Sequence, residues 1–78
     1  MALEAFVLME TTGAHTKSAY KTLTRIQGIQ AVYPVTGPFD LIAHVSADTL
    51  EDLNDLIMTR IRSIDGVTKT NTAIVLSL

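Results

Sequence analysis

Apolar residues recur along this chain with two spacings, and the spacing switches at glycines. Glu4–Glu10 is an almost unbroken apolar run, as expected of a strand covered on both faces. Thr11-Thr12-Gly13 reads as a turn and cap. Ala19, Leu23 and Ile26 then fall at i, i+4 and i+7, one stripe of a helix that Gly28 stops. Ile29–Thr36 alternates with period two through Ile29, Ala31, Tyr33 and Val35. Gly37-Pro38 makes a turn into Phe39–Ala47, where Leu41, Ala43 and Val45 alternate again. Asp48 followed by Glu51 predicts a capping box with a carboxylate in place of the usual hydroxyl. Leu50, Leu53, Ile57, Ile61 and Ile64 form a second helical stripe, ended by Gly66, and Thr68–Leu76 is a β-branched final strand.

The pattern occurs twice. Leu3, Ala5 and Val7 reappear as Leu41, Ala43 and Val45, and Leu23, Ile26, Gly28 and Ile29 correspond to Ile61, Ile64, Gly66 and Val67. Each half is strand, helix, strand, which predicts a ferredoxin-like α+β sandwich of order β-α-β-β-α-β. Right-handed crossovers leave a gap in each half that the other half fills, giving a four-stranded antiparallel sheet of spatial order 4-1-3-2 with two helices on one face. Pro34 agrees, because a residue without an N–H belongs on an edge strand and the second strand is one.

Two helices cover one face only. The repeat points Leu3, Ala5, Val7, Leu41, Ala43 and Val45 toward the helices, leaving Phe6, Leu8, Ile42 and His44 on the opposite face. Such a face is normally polar when it meets water, so a second copy laid over it is expected, with these four residues at a homodimer interface. Size strengthens the expectation: 78 residues make one domain whose private core is small. There is no cysteine to staple it, and His15 and His44 are too far apart in sequence to suggest a structural zinc site. Neither a metal nor any other cofactor is expected.

The net charge of −2 and the scattered cations Lys17, Lys21, Arg25, Arg60, Arg62 and Lys69 give no basic stripe, so no direct contact with nucleic acid is expected. The run Ala5–Met9 is too short to span a bilayer and lacks the flanks of a secretory leader, so a cytoplasmic protein with no membrane partner is expected.

The topology also gathers chemistry. The end of the first strand, the hairpin after the second and the start of the fourth share one edge, carrying Glu10, Thr11, Gly37, Pro38, Phe39, Asp40, Thr68 and Thr70. A glycine turn lets a carboxylate approach backbone N–H groups, Asp40 suits an ammonium, and threonine hydroxyls orient either group. A free amino acid fits this rim; so does a plain turn beside a strand start. Catalysis is not expected, because Ser46 and Ser63 have no evident base and His15–Ser18, at i and i+3, lacks a third group to orient the imidazole.

Three segments in order carry a family resemblance: Leu23-x-x-Ile26-Gln27-Gly28-Ile29, Val35-Thr36-Gly37-Pro38-Phe39-Asp40-Leu41, and Ile64-Asp65-Gly66-Val67 through Thr70-Asn71-Thr72-Ala73-Ile74-Val75-Leu76. Over essentially the whole chain, the sequence resembles the effector-binding domain, also called the regulation-of-amino-acid-metabolism domain, of Lrp/AsnC-type feast/famine regulators. The resemblance implies dimers formed through the sheet that join into higher rings such as octamers or decamers. It also implies a small effector, often an amino acid, bound between dimers. The positions matching the family's pocket are Gly37, Phe39, Asp40, Thr70 and Thr72. Pro38 and Asn71 depart from the pattern, standing where relatives often carry a polar and an acidic residue.

Full-length relatives place a helix-turn-helix domain ahead of the first strand, whereas this sequence begins on that strand. A single-domain effector-binding version spanning 1–78 is therefore expected, regulating transcription or amino-acid metabolism without binding DNA itself. Two alternatives stand beside it. One is a partner-binding oligomer that modulates full-length relatives without a ligand; the other is a small dimeric ferredoxin-like enzyme.

Overall fold

A computed structural model describes residues 2–78. β1 (Leu3–Thr11) leads through a short 3₁₀ turn (Gly13–His15) into α1 (Thr16–Leu23), followed by β2 (Ile29–Pro34) and β3 (Leu41–Ala47). The second helix, α2, starts at Leu50 and runs as regular α-helix to Asp55, then widens to π-helical winding over Leu56–Ile61. β4 (Val67–Ile74) closes the chain. The sheet order is β2-β3-β1-β4, the expected 4-1-3-2 read from the other edge, with antiparallel pairing throughout. The fold is ferredoxin-like.

The inner strands form the floor of the core. Ala5, Val7 and Met9 of β1 and Leu41, Ala43 and Val45 of β3 are fully buried on the helix side, paired in register as Ala5–Val45, Val7–Ala43 and Met9–Leu41. Ala19, Leu23 and Ile26 close over them from α1 and the turn after it; Leu53, Ile57 and Ile61 do so from α2. The three α2 residues recur every fourth position. On a regular helix that spacing drifts about 40° per step around the axis. The wider winding from Leu56 onward, fixed by the Arg62 N–H donating to the Ile57 carbonyl five residues back at 2.9 Å, keeps all three on the sheet. Leu50, expected in the stripe, is 59% exposed at the helix start, and Ile64 is half-buried in the turn beyond it.

Two local expectations are corrected. The helix cap is Thr49 and not Asp48: Thr49 has extended backbone and its Oγ1 accepts the Asp52 N–H at 3.0 Å. β2 ends at Pro34, and a bulge between Ile29 and Ala31 breaks its alternation. Ile29 and Val32 consequently pack on the core, while Ala31 and Tyr33 turn to the opposite face, across from His44 and Ile42.

The repeat is visible in the backbone, since Gly28 and Gly66 end the two helical turns with positive φ of 99° and 92°. Gly66 is also a close approach. Its carbonyl accepts the Thr12 N–H at 2.9 Å, and a Cβ placed on it would lie 2.2 Å from His15 Cβ. This contact pins the start of β4 to the turn that follows β1.

Candidate functional site

The shared edge forms as the topology requires. Asp40 joins it to β1 twice: its N–H donates to the Met9 carbonyl at 2.9 Å and its Oδ2 accepts the Thr11 N–H at 2.8 Å. The Thr11 and Thr16 hydroxyls bond each other at 2.6 Å, and the Thr68 hydroxyl donates to the Glu10 carbonyl at 3.2 Å. One Asp40 oxygen is thus committed to the backbone, while Oδ1 has no donor among the described residues. Gly37 sits at the tip of the turn with φ 132°, and the Asp40 carbonyl accepts the Val35 N–H at 3.0 Å to close it. Phe39 is half-buried.

Thr70 and Thr72 go elsewhere. In register with Met9 and Val7, they point to the helix side of β4 and line a groove against α2 with a volume of about 280 Å³. The other wall is Leu50, Leu53, Asn54, Ile57 and Met58, with Arg62 and Ile74 also lining it. Met9 pairs with Leu41 on one side and Thr70 on the other. Asp40 and Thr70 of one chain are therefore separated by about two strand spacings, roughly 10 Å, with β1 between them. One protomer does not bring the five expected positions into one pocket; it presents them as two groups, the 37–40 turn and the Thr70–Thr72 groove.

The α2 wall was not identified from sequence. Leu53 and Ile57 read only as core, and Arg62 falls one position beyond the buried stripe. The i, i+4 pair Met58 and Arg62 was the available signal, because it places a cation on the helix flank next to an edge strand. A larger, open and polar recess of about 530 Å³ lies between the helices, lined by residues that include Ser18, Thr22, Arg60, Ser63 and Asp65. Ser18, Thr22 and Ser63 all turn their hydroxyls back to helix carbonyls there.

The open face of the sheet carries all four residues expected at an interface. Phe6 is 37% exposed; Leu8, Ile42 and His44 are half-buried. Tyr33, 51% exposed, adds to the apolar centre. The His44 and Phe6 rings stack with centroids 4.9 Å apart and planes 17° from parallel. His44 Nε2–H donates to Glu4 Oε1 at 2.7 Å, since an ionised carboxylate can only accept. Glu4 at one end and the Glu10–Lys69 pair, 3.8 Å apart, at the other give this apolar centre a polar rim. Among the described residues no helix is long and apolar enough to cross a membrane.

Comparison with known proteins places this geometry in context. Residues 4–78 match the family model described as the Lrp/AsnC ligand binding domain. The HTH-type transcriptional regulator LysM of Sulfurisphaera tokodaii is 35% identical over 75 residues, covering 95% of this chain but 53% of that protein. The chain thus spans about half the length of the curated relatives it matches. A crystal structure from Thermus thermophilus superposes with a TM-score of 0.92 at 32% identity, covering 97% of this chain and 95% of that one. A transcriptional regulator of Neisseria meningitidis, solved as a complex with L-Met, shares the fold at a TM-score of 0.86 and 16% identity, covering 96% of this chain and 50% of that one.

Proposed function

The chain belongs to the Lrp/AsnC ligand-binding domain family, and from that premise we propose that it is an oligomeric effector-binding domain for a small molecule of amino-acid type. It acts in the regulation of transcription without itself contacting DNA. Copies pair through the open sheet face at Phe6, Leu8, Ile42 and His44, and pairs assemble further. The 37–40 turn of one copy then meets the Thr70–Thr72 groove of another. The effector acts by linkage: bound in the completed cleft, it stabilises one assembly over another by its differential affinity.

The observation that carries this reading is the groove itself. Thr70 and Thr72 present hydroxyls with no partner among the described residues opposite the apolar wall of α2, on the helix side of β4. Polar groups converging on an apolar hollow are the usual make-up of a small-molecule site. The L-Met bound by the Neisseria regulator suggests where a ligand panel should begin.

Calorimetric and thermal-shift titration of the assembled protein with the L-amino acids tests the reading. Binding by at least one, with a change in particle size by light scattering, is expected. Asp40→Asn keeps an acceptor for the Thr11 N–H while removing the charge, and should weaken that binding at least tenfold without unfolding the domain. Silence across the panel from an intact oligomer rejects the function, and undiminished affinity in the variant removes Asp40 from the site.

A further inference from the structure

We propose that Arg62 anchors the carboxylate of the effector, whose apolar side chain lies along the α2–β4 groove; the inference rests on the effector-binding reading and specifies its chemistry. Two hollows meet at this residue. The groove of about 280 Å³ and a smaller hollow of about 80 Å³ at its end share Arg62 and Thr70 as lining residues. The smaller one has room for two or three waters at about 30 Å³ each, the scale of a carboxylate group. The larger lies just under the roughly 300 Å³ at which sites for drug-sized ligands begin, which suits a molecule of amino-acid size.

The guanidinium there is exposed and free to take a carboxylate. Arg62 Nη1 donates to Met58 Sδ at 3.4 Å, a weak acceptor, and no carboxylate lies within ion-pair reach among the described residues. Lys69, the other cation beside the small hollow, already faces Glu10 at 3.8 Å. A guanidinium fork accommodates a carboxylate bidentately, and the adjoining Thr70 hydroxyl supplies a further donor. Arg62 also follows directly on the π-helical segment, a distortion found often at functional sites. Leu50, Leu53, Ile57, Met58 and Ile74 make the rest of the groove largely apolar, with Asn54 and Thr72 its remaining polar groups, so the preferred ligands carry an aliphatic or thioether side chain.

The test is calorimetry on the assembled wild-type protein with L-leucine, L-methionine and their carboxamides, alongside Arg62→Met and Arg62→Lys. The amides should bind at least tenfold more weakly than the acids, Arg62→Met should lose at least tenfold, and Arg62→Lys should fall between. Wild-type protein that binds acid and amide equally, or Arg62→Met that keeps full affinity, overturns the assignment while leaving amino-acid binding in place. Failure of wild type to bind any member of the full L-amino-acid panel overturns both. Should Arg62→Met alter assembly, the acid-to-amide ratio on wild type decides alone.

Discussion

Replacing Gly66 by alanine tests how the two halves of the fold are fastened. Its φ of 92° is a conformation that costs an L-residue about 1–2 kcal/mol. The new Cβ would also stand 2.2 Å from His15 Cβ and 2.8 Å from His15 Cγ, so the 3₁₀ turn or the start of β4 must shift. Overpacking of that kind costs about 1–3 kcal/mol. Together they remove about 2–5 kcal/mol from a domain whose whole stability, at about 0.05–0.15 kcal/mol per residue, lies near 4–12 kcal/mol. At about 4–8 °C per kcal/mol for a domain of this size, Tm should fall by at least about 8 °C, measured at fixed protomer concentration. A second substitution, His15→Gly, removes the colliding atoms but not the backbone strain. Added to Gly66→Ala it should therefore recover part of the loss, and the double-mutant cycle separates the two causes. A Gly66→Ala protein within 0.5 kcal/mol of wild type in urea unfolding would refute the argument.

Three further substitutions probe other levels. Leu8→Asp places a carboxylate in the middle of the open sheet face; burying each leucine is worth about 1.5–3 kcal/mol, and a symmetric pair loses two, so the proposed dimer should weaken at least a hundredfold. Sedimentation over a dilution series checks this, and an unchanged dimer would put the contact elsewhere. Thr49→Ala should cost about 1 kcal/mol through loss of the Asp52 N–H cap, with Asp48→Ala costing less. The reverse order in thermal melts would return the cap to Asp48.

The architecture could be read in advance because its governing signals are periodic. Strand and helix stripes, the internal repeat and the paired glycines each depend on spacing, and spacing survives into the fold. What escaped depended on choices between near neighbours. Ile29, Ala31 and Val32 are all acceptable on a core face, and only pairing with β3, which sets Val32 opposite Ala43, decides for the bulge. Asp48 and Thr49 are both competent caps, and the chain uses the hydroxyl. At the rim, the contact of Asp40 with β1 follows from topology. The direction of Thr70 does not: it shares its face with Thr72 and Ile74 and so turns to α2, away from the chain's own Asp40. Arg62 went unnoticed because one cation beyond an apolar stripe is ordinary for a helix end.

The groove beside α2 has a geometric origin. Leu53, Ile57 and Ile61 of α2, with Ala19 and Leu23 of α1, close over the fully buried inward residues of β1 and β3. β4 lies outside that cover, as an edge strand paired only with β1. A large aliphatic at an inward position there stays partly exposed, as Ile74 does at 42%, whereas threonine at 70 and 72 pairs a β-branched shape with a hydroxyl. The same incomplete cover that forbids a closed core at β4 leaves the space a ligand needs. A domain built to seal this edge would carry a bulkier residue at 72. Thr72→Phe should therefore fill the groove, leave the open sheet face and its pairing untouched, and abolish amino-acid binding in the same calorimetric assay. Retained affinity in that variant would place the ligand outside the groove.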